Sequence, residues 1–205
     1  SYFYYAINDG AWAEYVTTVI PVVNRWYHVV WTRDVSNNLV LYLDGVQQQS
    51  FSSVKVPATN AGMVLVGSHV DTTGSHFPGS IDEVRVYNRA LSASEIQAQY
   101  AVGQSDEVNT SASQAQGTGR LDSGLAGYWK MDDGSGTSAT DSSTNANTGT
   151  MTNMESGDWT TGQIGSAGVF DGVNERVSVP DSNALDIAQT ITVSAWVKGL
   201  TNWTG

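Results

Sequence analysis

Residues 79–100, GSIDEVRVYNRALSASEIQAQY, set the strongest constraint on the fold, because they read as the close of a domain in the middle of the chain. An alternating strand runs into a polar turn and then a short helix, in which Ser92 and Glu95 have the spacing of a capping box. The next stretch, AVGQSDEVNTSASQAQGTGRLDS (101–123), has no hydrophobic periodicity and is rich in Ser, Gln, Gly and Thr, so it reads as a linker. Strand patterns resume at Leu125. Each side of the linker has too few strands to bury its own apolar face, so each must find a complement.

The strands before the linker are read at 2–7, 11–20, 26–34, 39–50, 63–69 and 80–88. Asp44-Gly45, between alternating runs, is the hairpin signal, since a type I′ turn needs positive φ at both central positions. After the linker, strands are expected at 125–131, 166–172, 175–180 and 190–199, with a short one near Thr148 to Met151. Abundant Gly, with Val, Ile, Trp and Tyr carrying the apolar content, suits strands and tight turns. The expected fold is all-β: a two-sheet antiparallel sandwich with one short helix near 92–99. Period-two alternation places Trp129, Phe170, Val177 and Val193 against Val29, Trp31, Leu41, Leu43, Val64, Val66, Val84 and Val86. Trp26 and Trp196 are out of phase with that core and require a bulge or a covered outer face.

A net charge of −11 argues against nucleic acid and anionic membranes, which need clustered Lys and Arg. Without cysteine, disulfides and zinc–thiolate sites are excluded. No apolar run approaches the roughly 18 residues of a membrane span, so no direct membrane insertion is expected. Low Lys and Glu with much Ser, Thr, Asn and Gly fits an extracellular or cell-surface protein.

Several motifs occur together in a recognisable way. GYWKMDDGSGTSATDSSTNANTGT and WTTGQIGSAGVFDGVNERVSVPDSNALDIAQTITVSAWVK resemble the first half of a laminin-G-like module of the concanavalin A-like jelly-roll superfamily. RWYHVVWTRDVSNNLVLYLDGVQQQS and GSIDEVRVYNRALSASEI resemble its second half. The resemblance therefore divides the chain into a second half at 1–100, a linker at 101–123 and a first half at 124–205. The family order is reversed here. Either the halves close within one chain, as in a permuted module, or the register is cut across a tandem array and neighbouring copies complete each other. Head-to-tail completion of the second kind need not close and gives a filament.

What the resemblance implies about function is a non-catalytic structural or adhesive repeat, with a carbohydrate-binding module as the alternative. Partners are then neighbouring copies, glycans or surface proteins. The superfamily includes glycan hydrolases, whose retaining members hold two carboxylates about 5 Å apart. No such spacing occurs here. Asp82 and Glu83 are adjacent, and in a regular strand they point to opposite faces.

Many laminin-G-like modules bind calcium, an ion that takes oxygen ligands from carboxylates, amides and carbonyls. The resemblance points to Asp82 of the IDE strand and Asp171 of the FDG turn, with Asn174 or Asp132 and Asp133 as supplements. The plainer role for Asp171 is to hold its own turn. In SHVDTTGSH, His69, Asp71 and His76 share a loop of a composition that is more often simply solvated. Most of the seven tryptophans sit in strands as core. Trp12, Trp159 and Trp203 lie in or near turns and are the candidate glycan platforms. The sequons at Asn109 and Asn202 are short patterns that carry little weight.

Overall fold

The computed structural model describes residues 3–8, 12–56, 62–69, 76–104 and 121–200. Two sheets pack face to face. The larger runs in the order β11 (Trp159–Thr161), β12 (Ser166–Asp171), β7 (Pro78–Tyr87), β14 (Ile191–Gly199), β3 (Tyr27–Arg33), β4 (Leu39–Leu43), β5 (Val46–Phe51), with β8 (Leu125–Trp129) also on β7. The smaller has the order β6 (Val64–Val66), β13 (Arg176–Val179), β10 (Gly149–Thr152), β9 (Ser138–Ala139). A separate hairpin joins β1 (Tyr4–Asn8) to β2 (Trp12–Val16).

Both larger sheets take strands from the two sides of residues 105–120. On one edge β7 pairs in succession with β12, through Pro78 to Ile81, and with β8, through Val84 to Tyr87; β14 lies along its other edge. β14 also pairs with β3, and β13 with β6. The two segments thus complete one sandwich within a single chain, and each covers the strand edges and apolar face the other would leave open.

Alternation fills the interior as the sequence predicts. Val66, Val84, Val86, Trp129, Phe170 and Val177 form one core cluster with Val64 and Val193 packed on it. Trp31, Leu41 and Leu43 form a second with Val29. The small sheet covers the first cluster. Over the second lies the β1–β2 hairpin, whose Tyr5 meets Trp31 at 5.7 Å between ring centroids, while Tyr15 meets Phe51 at 5.4 Å. Arg33, fully buried at the end of β3, donates from Nε to the Gln189 carbonyl and from Nη2 to that of Ala188, both at 2.8 Å.

The opposite face of the large sheet is covered by α1 (Ala93–Gln104). Its start is the expected capping box: Ser92 N–H donates to Glu95 Oε2 at 2.8 Å, and Glu95 N–H to Ser92 Oγ at 3.3 Å. Arg89 braces Glu95 at 2.7 Å. Leu91 and Ile96 bury against Val30, Tyr42 and Tyr87. The helix continues to Gln104, four residues into the stretch read as linker. At the far end of that stretch, Ser123 and Gly124 carbonyls accept from Arg89 Nε and Asn88 N–H, so its last residues are tied to the domain as well.

The long loop after β8 is also more ordered than its composition suggests. Asp141 is its anchor, accepting from the backbone N–H groups of Tyr128, Ser143 and Asn147 at 2.7 to 2.9 Å. Asn145 and Asn147 then donate to the Ala126 carbonyl. Two short strands, β9 and β11, appear where the sequence signals only loop.

Candidate functional site on the helix-covered face

One irregularity decides which side chains reach this face. Along the β7–β14 ladder Asp82 opposes Trp196 and Arg85 opposes Ser194, so Glu83 and Val84 together stand opposite Ala195 alone. This is a β-bulge. Glu83 takes φ 56°, in the left-handed region, and the slip re-aims the strand. Ile81, Val84 and Val86 still face the core, but Asp82, Glu83, Arg85 and Tyr87 all reach the outer face. The expectation that Asp82 and Glu83 point to opposite faces is therefore corrected: the bulge breaks the alternation on which it rested.

Glu83 forms a buried ion pair with Arg85 and accepts from Tyr128 Oη at 2.6 Å. Tyr128 stands opposite Arg85 on β8, with the guanidinium over its ring at 4.0 Å. Burial pushes the Tyr128 hydroxyl well above its ordinary value; the Arg85 charge opposes this and the Glu83 charge adds to it. Asp82 Oδ2 accepts the backbone N–H groups of Gln163 and Ile164 at 2.8 and 2.9 Å, while Oδ1 is buried without a partner. Burial pushes its carboxyl up to about 7, helped by the charges of Glu83 and Asp132 and opposed by those two N–H donors.

Beside this group, Trp196 stacks on Tyr100 of α1 with ring centroids 5.6 Å apart, and His28 lies 5.1 Å from Trp196. Trp196 is 1% exposed, on the covered outer face that its phase required. Trp26 is half-buried, with Lys198 Nζ 4.8 Å from its ring centroid. His28 is buried with neither ring nitrogen hydrogen-bonded, and burial, then the Arg85 charge, lowers its pKa to about 3.

Asp171 and Asn174 lie elsewhere. Asp171 opposes Pro78, four residues before Asp82, which separates the two aspartates by about 13 Å along β7. Asp171 Oδ1 accepts from Val173 N–H at 2.7 Å and Asn174 N–H at 3.3 Å, closing its own turn. Glu175, buried beside it, accepts from Asp171 N–H, and its pKa is pushed up to about 7 by burial and by the charges of Asp158 and Asp171. Asp132 Oδ1 accepts from Ser166 N–H at 2.7 Å, and Asp133 binds the Thr140 hydroxyl at 2.6 Å. Asp82, Asp171 and Asn174 therefore do not fit a single calcium ion. Among the described residues no three acidic or histidine side chains converge as a metal site.

Of the aromatic candidates, Trp159 lies in edge strand β11, half-buried against the main core. The Trp12 side chain and all of Trp203 lie outside the described residues, as does Asp71 of the histidine loop. Ser68 bridges His76 in that loop. Sequence reasoning missed Glu83, Arg85 and Tyr128 as a buried group. The signal available was three ionisable residues within four positions of a strand otherwise bound for the interior.

No described helix is long and apolar enough to cross a membrane. No curated protein and no solved structure matches the chain. The family model Laminin_G_3, described as the concanavalin A-like lectin/glucanases superfamily, matches residues 1–97. Residues 1–97 are therefore similar to the laminin-G-like modules of the concanavalin A-like lectin/glucanase superfamily, and their strands share one β-sandwich with residues 121–200.

Proposed function

We propose that the chain is a non-catalytic structural or adhesive module of an extracellular or cell-surface protein. The observation that carries this reading is the sealing of the acidic pair on the large sheet. Asp82 and Glu83 are 0% and 1% exposed, one held by two backbone N–H groups and the other by Arg85 and Tyr128. A glycosidase needs two carboxylates that reach the substrate. Incubation with a panel of β-glucans, galactans and uronans gives no turnover on this reading, and hydrolysis lost in Glu83→Gln contradicts it.

Assembly uses neighbouring copies. The pairings of β7 and β3 with β14, and of β6 with β13, join segments on either side of residues 105–120, so the same contacts form if residues 121–200 come from another copy. Repeated exchange is head-to-tail and extends into a filament. Light scattering across a dilution series tests it: mass rises with concentration if exchange occurs and stays at one chain if it does not.

Glycan binding is the second reading, favoured by a superfamily described by its lectins and glucanases. Trp12, Trp159 and Trp203 are its platforms. A glycan array with the corresponding Trp→Ala variants decides it, through binding that these changes abolish.

A further inference from the structure

The helix–sheet contact on the outer face has one weak element. The His28 imidazole packs beside the stacked Trp196–Tyr100 pair, 5.1 Å and 41° from the Trp196 ring and 6.2 Å and 32° from the Tyr100 ring of α1. It is 1% exposed, and both Nδ1 and Nε2 lack a hydrogen-bond partner. A neutral imidazole tolerates that packing as an aromatic filler. An imidazolium has two N–H donors and a charge to satisfy, and an unpaired buried cation is strongly disfavoured.

Neither ring nitrogen has an acceptor within hydrogen-bond reach while the helix is docked, even though Asp82 Oδ1, Gln99 Oε1 and Ser194 Oγ are themselves unpartnered. On β7, Glu83 is committed to Arg85 and Tyr128, and Asp82 to the Gln163 and Ile164 N–H groups on the far side of Trp196. Arg85 itself is cationic and faces the same space. Asp44 accepts from the His28 backbone N–H at 3.0 Å and from Arg25 at 2.7 Å. On α1, Glu95 is held by Arg89 and Ser92, and Gln99 donates to Tyr87 Oη at 2.7 Å. Burial raises the Tyr42 and Tyr87 hydroxyls above their ordinary value, so both stay neutral at the pH values concerned.

We propose that α1 is an acid-released cover over the outer face of the large sheet, with His28 as its trigger. Protonating His28 is unfavourable while the helix is docked and becomes ordinary once Tyr100 moves away and water reaches the ring. The low pKa of the docked imidazole agrees with this. Docking should weaken about tenfold per pH unit below about 6.5, the unperturbed histidine value. Release uncovers Trp196, His28 and Tyr87, which Tyr100, Gly103 and Gln99 of α1 contact, while the interior clusters, which include no residue of α1, stay closed. Asp82 titrates in the opposite sense if it too becomes solvated, so Asp82→Asn should leave the release in place or steepen it.

Hydrogen exchange of the whole chain, corrected for the intrinsic pH dependence of amide exchange, tests the proposal at about pH 7 and about pH 5. The expected result is a loss of protection of about thirtyfold across α1 with β12 to β14 unchanged, and no such loss in His28→Phe. His28→Gln serves if the phenylalanine variant does not fold. The proposal is overturned if wild-type α1 is equally protected at both pH values, or if core strands open together with it. It is equally overturned if the histidine variants lose the helix as the wild type does, or if Glu95→Gln alone removes the acid dependence.

Discussion

Gly103 of α1 lies directly on the Trp196 indole of β14, so closely that a Cβ at position 103 would stand 2.4 Å from Cζ2. The carbonyl of the same residue accepts from Gln163 Nε2 at 2.6 Å. One glycine thus joins the helix before residues 105–120 to a strand and a loop that follow them. Gly103→Ala separates two effects by sign. Helix propensity alone would stabilise the variant by about 1 kcal/mol, whereas forcing a methyl against a buried ring costs about 1–3 kcal/mol. A net destabilisation in urea unfolding, with Trp196 displaced, is expected. A stabilised variant would mean that helix and indole are not in contact.

The Glu83–Arg85 pair should behave as a buried ion pair. Glu83→Ala leaves Arg85 charged and uncompensated, at a cost of about 3–5 kcal/mol. Glu83→Leu combined with Arg85→Met should recover most of that loss, because removing both partners leaves no unpaired charge. Denaturant midpoints measure both. A double variant no more stable than Glu83→Ala would show that the group is not acting as a pair.

Stability should depend on pH through two groups of opposite sign. With its carboxyl pushed up to about 7, folded Asp82 keeps a proton that the unfolded chain loses above about 4. Its contribution is therefore full at low pH and is lost as pH rises through about 7. Glu175 shares that sign. His28 is neutral when folded but protonates in the unfolded chain below about 6.5, so it removes stability as pH falls from there towards about 3. Asp82→Asn should therefore be more stable than wild type at about pH 8, on the order of 1–4 kcal/mol, with the difference closing near about pH 4. A loss that is the same at every pH would mean that the Asp82 carboxylate is held ionised.

Asp171 works as a turn anchor. Asp171→Ala removes the acceptor for the Val173 and Asn174 N–H groups and should cost about 1 kcal/mol. Because Asp82 does not share its surroundings, melting with calcium and with a chelator should coincide, in wild type and variant alike. A melting temperature that falls on chelation only in the wild type would place an ion at that turn.

Where local chemistry sets the backbone, the sequence is a sufficient guide. Asp44 and Gly45 have φ of 51° and 75°, as the hairpin signal requires, and the Ser92–Glu95 box caps α1 as its spacing predicts. The interior strands follow period two because one face is buried and the other is not. The bulge at Glu83 is illegible by the same logic. Its cause lies in the partners of β7, which takes β8 and β12 on one edge and β14 on the other, and pairing partners leave no mark in local alternation. Trp159 follows a turn, as read, but the strand β11 that it opens is hidden because it exists only by pairing with β12. The length of α1 is hidden for a related reason: Ala101 to Gln104 gain a place from Trp196, which lies more than ninety residues away in the chain.

The central claim, that segments on either side of residues 105–120 build one sandwich, is tested most directly across the β6–β13 ladder. Leu65 and Ser178 are register partners there, both half-buried. Paired residues in an antiparallel ladder have Cα atoms about 4.5–5.5 Å apart, within disulfide range. The chain has no cysteine of its own, so a Leu65→Cys/Ser178→Cys variant can form only one intramolecular bridge. Under mild oxidation the account predicts near-complete bridging, as a single-chain band in dilute protein and as a covalent ladder of chains as concentration rises. A single-chain band at every concentration would keep the sandwich and remove the filament. Free thiols at every concentration, in a chain that is otherwise folded, would contradict the shared sandwich itself.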